Sequence, residues 1–212
     1  MEITRIIGSH ADQPLPHQLL MSWLKGYKRP NDKILGLKAQ GVLEPLKKGL
    51  YIAGPSVSET KPDSFLVANH LLGPSYVSVE TALSYYGLIP ERVYEISSMT
   101  TKASRSFKTA LGQFTYTRLP LPYYSFGLEM HQLPSNQYVI VASPEKALCD
   151  KIVTTSGLTL RSIPNAYDCL VDDMRMDESA LKDLDTKAIQ EWIPDAPKKN
   201  SIQMVVNMIA QL

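Results

Sequence analysis

The sequence contains little cysteine and histidine, and neither residue is arranged as a metal site would require. Its 212 residues include two cysteines, Cys149 and Cys169, with no Cys-x-x-Cys spacing. The four histidines are His10, His17, His70 and His131, and no two of them stand four residues apart. Zinc sites draw on closely spaced Cys and His pairs, so this pattern predicts no metal site. The cysteine spacing favours two reduced thiols in the protein core over a disulfide.

Motifs of nucleotide-binding and hydrolytic enzymes are also missing. The glycines form neither the G-x-x-x-x-G-K-[ST] phosphate loop nor the G-x-G-x-x-G dinucleotide fingerprint. Lys47-Lys48-Gly49 is a turn sequence, and no G-x-S-x-G nucleophile motif occurs. We therefore predict no catalytic residue, no bound cofactor and no enzymatic activity.

Long apolar runs are absent as well. No stretch approaches the roughly 18 apolar residues that cross a bilayer. The N-terminal segment MEITRIIGSHADQP has an acid at position 2 and too short an apolar part for a signal peptide. These features predict a cytoplasmic protein without membrane contact. Hydrophobic residues make up 44% and charged residues 20% of the chain, which is ordinary for a globular protein with a sizeable core.

Basic residues are concentrated at the N-terminal end. Residues 1–55 hold eight basic and four acidic side chains, whereas the rest of the chain holds 14 basic and 17 acidic. The net charge of +1 for the whole chain hides this division. A net positive charge on residues 1–55 and a net negative charge on the rest of the chain indicate that the N-terminal part binds a polyanion and the remainder does not.

Three helices are predicted in the first 40 residues. Apolar residues recur at helical spacing over 1–10, 16–24 and 32–40. In the third helix, Ile34, Leu35 and Leu37 lie on or near one face. Asn31 or Asp32 is expected to cap the start of this helix.

A basic hairpin follows the third helix, which Gly41 is placed to end. Two short strands are predicted over 42–52, and they join at Lys47-Lys48-Gly49. A helix followed by a basic hairpin is the DNA-reading half of a winged helix-turn-helix, and the three helices and hairpin fit that unit in order and length.

Seven side chains of this unit are placed to contact DNA. They lie at the turn before the third helix, on that helix and at the hairpin tip: Lys28, Arg29, Asn31, Lys33, Lys38, Lys47 and Lys48. Asn31 and Lys33 are expected to reach base edges, and Lys47 and Lys48 to contact backbone phosphate. The alternative is a solvated basic surface on a helical module that contacts proteins.

The remaining sequence predicts a mixed α/β domain with a small sheet, so the expected fold class is α+β. A polar, proline-bounded linker over 56–62 separates residues 1–55 from a C-terminal domain over 63–212. Period-two patterns predict strands over 94–101, 114–119 and 138–142, and helical stripes cover 165–212. Ser78 is expected to cap a helix within this domain.

One polar group in this domain has two interpretations. Ser143-Pro144-Glu145 opens a helix on which Lys146 and Asp150 stand four residues apart and face each other. A functional interpretation makes Glu145, Lys146 and Asp150 a small polar site beside the strand over 138–142. We favour the structural one, a capped helix with a surface ion pair worth a few tenths of a kcal/mol.

Two further segments, SYVSVETALSYYGLIP and SPEKALCDK, follow the N-terminal unit that ends GVLEPLKKGLYIAG. In this order, and over about residues 15–156, they resemble the AbiEi-type antitoxin family of type IV toxin–antitoxin systems. The two segments together, after a winged helix, are fairly specific to that family.

The resemblance implies a transcriptional repressor that is also an antitoxin. Its winged helix would bind inverted repeats in its own promoter through the seven residues named above, with two copies on the double-stranded DNA. Its C-terminal domain would counteract a nucleotidyltransferase-fold toxin encoded next door, without a stable complex. The resemblance carries over no catalytic residue.

Two other classes of function stay open on the residues alone. One is a one-component regulator whose C-terminal domain senses a ligand or binds a protein, with no toxin partner. The other is a protein-interaction module or minor enzyme that uses a degenerate winged helix as a scaffold. Neither the operator sequence nor the choice between monomer and dimer in solution follows from the sequence.

Overall fold

Helices alternate along the chain with the strands of two separate sheets. In the computed structural model, which describes residues 2–212, the smaller sheet belongs to the N-terminal part. That part consists of α1 (Glu2–Ser9), β1 (Leu15–Pro16), α2 (His17–Trp23), α3 (Pro30–Ala39), β2 (Leu43–Lys47) and β3 (Leu50–Ala53). The sheet has the order β1–β3–β2 with both pairs antiparallel. The predicted helices and hairpin are present, and β1 is an addition.

The larger sheet has six strands that run in mixed directions. They are β4 (Ser75–Val77), β5 (Ile96–Thr100), β6 (Arg105–Thr109), β7 (Gly112–Arg118), β8 (Leu128–Gln132) and β9 (Tyr138–Ala142). Their order is β6–β7–β5–β4–β9–β8, in which the β7–β5 and β4–β9 pairs are parallel and the others antiparallel. A mixed sheet combined with helices confirms the α+β class.

Helices cover the larger sheet and form the C-terminal end of the chain. They are α4 (Ser64–Leu71), α5 (Val79–Tyr85), α6 (Pro144–Thr154), α7 (Ile163–Tyr167), α8 (Glu178–Lys182), α9 (Thr186–Trp192) and α10 (Lys199–Ile209). A π-helical segment, Asp168–Asp173, follows α7, and 3-10 turns lie at Tyr123–Ser125 and Ile193–Asp195. The predicted helical C-terminal part is confirmed. Within residues 2–212, no helix combines the length and apolar character that crossing a bilayer requires.

The hairpin β2–β3 joins two hydrophobic cores. Leu43 and Ala53 pack in the smaller core with the residues of α1, α2 and α3. Leu46 and Ile52 pack in the larger core under the six-stranded sheet. The segment 56–62, predicted as a linker, contains neither helix nor strand. The domain boundary proposed there stays a prediction, since hairpin side chains contribute to both cores.

A fully buried ion pair connects α6 to β4 and to the 3-10 turn before β8. The side chains of Lys146 and Asp150 are 0% exposed, and Nζ lies 3.0 Å from Oδ1. The hydroxyls of Tyr76 and Ser78 donate to Oδ2 of Asp150 at 2.9 and 2.8 Å. Lys146 Nζ also donates to the Tyr123 carbonyl at 2.9 Å and lies 3.2 Å from the centroid of that ring.

One expectation about this region is therefore wrong, and a second is met only in part. The ion pair is in the core and not on the surface, because α6 packs that side of the helix toward α5 and the sheet. Ser78 occupies the N-cap position of α5, as expected, but its hydroxyl makes no capping hydrogen bond because it donates to the buried Asp150. Ser143, in contrast, caps α6 as expected by accepting from the Lys146 N–H at 3.2 Å.

The burial of this cluster shifts the pKa values of its members. Burial lowers the pKa of Lys146, an effect that the neighbouring Asp150 carboxylate opposes. The pKa values of Tyr76 and Tyr123 rise well above the ordinary value, first through burial and then through the negative Asp150. Gly127 lies against the cluster with φ at +58°, and a Cβ there would lie 2.7 Å from the Lys146 Cβ. The cluster therefore needs a glycine at this position.

We predict that Lys146 and Asp150 are strongly coupled in stability. Asp150→Asn leaves a buried ammonium unpaired and should lower the free energy of unfolding by about 3–5 kcal/mol. Lys146→Met should cost a comparable amount, whereas the double variant Lys146→Met/Asp150→Asn should lose less than the sum by at least roughly 1 kcal/mol. Urea unfolding of the three variants measures this coupling.

Lys151→Met is the matched control, because Lys151 is the next lysine on α6 and its ion pair with Glu80 is partly exposed. Its cost should stay below about 1 kcal/mol. Strictly additive losses for Lys146 and Asp150 would contradict the proposed coupling.

Candidate nucleic-acid interface

The sequence marks both ends of α3. Pro30 occupies its first turn, where the missing N–H costs no helical hydrogen bond. The N-cap residue is Arg29, so the expectation that Asn31 or Asp32 caps the helix is wrong; the fixed φ of Pro30 starts the helix earlier. Gly41 ends the helix with φ at +68°, as predicted. The N–H groups of Gly41 and its successor donate back into the last turn, as in a Schellman motif.

A backbone contact between two glycines fixes the hairpin against α3. A Cβ at Gly54 would lie 2.0 Å from the carbonyl oxygen of Gly41, so no other residue fits there. The Gly54 N–H donates to the Val42 carbonyl at 2.8 Å. The end of β3 therefore abuts the end of α3 directly, and the hairpin has a defined orientation relative to that helix.

The helix α3 buries one face and exposes another. Ile34 and Leu37 are buried in the smaller core, as predicted. Leu35, expected on or near the same face, is 60% exposed. Asn31 is exposed and Lys38 half-buried, and the spacing i, i+4, i+7 places them with Leu35 on the outer face.

Basic side chains surround the start of α3. Lys28 and Arg29 are exposed in the turn before the helix. The Arg29 guanidinium lies 3.7 Å from the Asp32 carboxylate, but both side chains are mostly in solvent, which makes the pair weak. Lys33 is half-buried, and its Nζ lies 5.6 Å from the ring centroid of the exposed Tyr27.

The two hairpin lysines have different surroundings. Lys48 is exposed in the turn, next to Gly49 with φ at +82°. Lys47 instead donates to the Leu71 carbonyl in the last turn of α4, and its Nζ lies 6.0 Å from the ring centroid of Phe107. An ammonium at this position complements the negative end of a helix. The predicted phosphate contact of Lys47 requires this side chain to turn outward.

A hydroxyl-lined cleft lies between α5, α6 and the sheet, and the sequence did not lead us to predict it. Its volume is about 280 Å³, and its polar lining consists of Ser97, Thr115, Thr117, Thr154, Thr155 and the Glu80–Lys151 ion pair. Val79, on its wall, has φ at 45°, a strained conformation for a β-branched residue. The alternating hydroxyls of β7 were the available sequence signal.

Neither a metal site nor a comparison with known proteins indicates what this surface binds. Among residues 2–212, no group of three or more His, Cys, Asp or Glu side chains is arranged to hold a metal ion. No model of a known protein family matches the chain, and no curated protein matches it. The function is therefore inferred from the geometry of the chain and from the resemblance of its segments.

Proposed function

We propose that the chain is a DNA-binding transcriptional repressor whose residues 1–55 form a winged helix-turn-helix. The observation that carries this proposal is the accessible outer face of α3, with Asn31, Leu35 and Lys38 in one stripe. The order α1–β1–α2–α3–β2–β3 and the basic turn before α3 support it. The binding site is an inverted repeat in the promoter of the chain's own operon, which takes two copies of the chain.

The stripe contains the side-chain types that discriminate bases in the major groove. An Asn amide pairs with adenine, a Lys ammonium with the acceptors of guanine, and an apolar side chain with the thymine methyl group. Asn31, Lys38 and Leu35 supply these three contacts. Lys28 and Arg29 lie at the N-terminal end of α3 and Lys48 at the hairpin turn, positions that suit backbone phosphates.

We further propose that the C-terminal part acts as the antitoxin of a type IV system, against a nucleotidyltransferase-fold toxin encoded next door and without a stable complex. The two segments that carry the resemblance support this, because they pack against each other: one forms β4 and α5 and the other α6. Tyr76 and Ser78 of the first segment donate to Asp150 of the second. The two segments, although distant in sequence, thus belong to one packed structural unit.

A second candidate is a one-component regulator that senses a small ligand. The observation in its favour is the hydroxyl-lined cleft beside the strained Val79, since strained residues concentrate at binding sites. Hydroxyls together with the Glu80–Lys151 pair suit a polar, uncharged or zwitterionic molecule. This candidate shares the winged helix with the first and differs in the partner of the C-terminal part.

The proposed DNA contacts separate into base-reading and phosphate-binding residues. Asn31→Ala and Leu35→Ala should change the preference between operator and altered sites, by about 1–3 kcal/mol at the affected base pair. Lys48→Ala should weaken binding equally on all duplexes and reduce the salt slope by about one. Fluorescence anisotropy titrations at several salt concentrations measure both effects.

Lys187→Ala is the control for these titrations, since it removes an exposed lysine from α9 in the C-terminal part. Its affinity and salt slope should equal those of the unaltered chain. The assignment of α3 as the base-reading helix fails if Asn31→Ala weakens all duplexes equally while Lys48→Ala changes sequence preference.

The repressor and antitoxin roles should be separable by substitution. In cells that express the neighbouring nucleotidyltransferase, the chain should restore growth, and Asn31→Ala/Lys38→Ala should do so equally well because α3 lies outside the C-terminal part. The same double variant should release a promoter reporter from repression. Absence of growth rescue by the unaltered chain rejects the antitoxin role but not the repressor role.

The ligand-sensing candidate predicts stabilisation by a polar small molecule. A panel of nucleotides, amino acids and sugars at millimolar concentration should include one that raises the melting temperature by several degrees, as expected at about 100 times Kd. Glu80→Gln/Lys151→Met should abolish this shift. If no compound raises the melting temperature, the cleft is a structural feature only.

A further inference from the structure

A second basic region lies within the larger sheet. Residues 96–128 contain no acidic side chain, and their basic residues are Lys102, Arg105, Lys108 and Arg118. All four are exposed. The acidic character of the C-terminal part therefore comes from other segments, and this stretch has the same sign of charge as residues 1–55.

The fold brings part of this region next to the hairpin. Strand β6 lies beside β2, and Lys47 Nζ and Arg105 Cζ are each 6.0 Å from the ring centroid of Phe107. Ser104, between Lys102 and Arg105, accepts from the Arg118 N–H at 3.0 Å, which ties the β5–β6 loop to the end of β7. Hairpin, loop and strand end thus form one surface.

These cations have no acidic partner in the described chain. The ion pairs formed within residues 2–212 involve none of Lys47, Lys48, Lys102, Arg105 and Arg118. Burial lowers the pKa of Lys47, and repulsion by the positive charges of Lys102 and Arg105 lowers it further. Such repulsion is relieved when a polyanion supplies the missing negative charge.

We infer that Lys102, Arg105 and Arg118 form, with the hairpin turn, a second phosphate-binding surface that extends DNA contact onto the C-terminal part. The inference rests on the proposed function, because the hairpin is placed on the DNA backbone beside the groove that α3 enters. Residues on the far side of the hairpin then meet the next phosphates along the duplex. Backbone contacts of this kind add affinity without sequence preference.

The alternation of side chains between the two faces of β6 provides a control for this surface. Side chains alternate between the two faces of a strand, so Arg105 and Phe107 share one face while Lys108 points to the other. Lys47 lies over the Phe107 ring, which marks the Arg105 face as the one that continues from the hairpin. Arg105 and Lys108 therefore form a matched pair with the same charge and exposure but opposite faces.

The experiment compares the full chain with Lys102→Ala/Arg105→Ala in duplex binding at several salt concentrations. The double variant should bind operator and unrelated duplexes about tenfold more weakly and show a salt slope shallower by about two. Lys182→Ala/Lys187→Ala, which removes two exposed lysines from α8 and α9, should match the unaltered chain. Circular dichroism melting verifies that both double variants remain folded.

The single variants then locate the surface. Arg105→Ala should reduce the salt slope by about one, while Lys108→Ala should leave it unchanged. Equal effects of the two variants, or a Lys102→Ala/Arg105→Ala chain that binds like the Lys182→Ala/Lys187→Ala control, would overturn the second surface while leaving the winged helix intact. If the unaltered chain bound no duplex at all, the proposed function itself would be overturned.

Discussion

The buried pair of Lys146 and Asp150 is the interaction on which the larger half of the molecule depends. Taking two charges out of water costs several kcal/mol per ion, and the pair is tolerable only where further hydrogen bonds complete it. Here Tyr76 of β4 and Ser78, which follows that strand, supply two hydroxyls, and the turn before β8 supplies the Tyr123 carbonyl and ring. The ion pair therefore forms only when β4, its parallel neighbour β9 and the helix α6 are all in their correct positions.

This requirement explains several local departures from simple sequence rules. Ser78 precedes α5, but its hydroxyl donates to the Asp150 carboxylate and not to the helix. Val79 follows it in a strained conformation. Gly127 is needed because the chain passes within contact distance of Lys146. An alternative packing that separated the two charges would leave one of them buried without a partner, which is costly.

The hairpin β2–β3 is the second organising element, because it connects the two cores. One set of its side chains packs with α1, α2 and α3, and the other packs under the large sheet. Lys47 adds a polar connection by donating to the end of α4. The outer face of α3 is consequently held in a defined position relative to β6, which is what allows basic residues far apart in sequence to form one surface.

Local signals in the sequence determined the boundaries of many elements. Gly41 ends α3 with a positive φ, Pro30 starts α3, and Ser143 caps α6, because each acts through its own backbone geometry or a neighbour within a few residues. The apolar periods of α3 and the strand over 138–142 were equally local. The strands β4, β6 and β8 of the larger sheet were not predicted. β6 and β8 are edge strands whose side chains are mostly exposed, so apolar and polar positions do not report a buried face, and β4 is only three residues long.

By itself, the sequence determined the order of the N-terminal helices and hairpin, the α+β class and the concentration of positive charge before and along α3. Tertiary structure alone decided that Lys146 and Asp150 are buried, that Leu35 faces solvent and that Lys47 turns toward α4. The physical reason is the same in all three cases. Burial and charge environment depend on which distant segments pack together, and helical or strand periodicity carries no information about those partners.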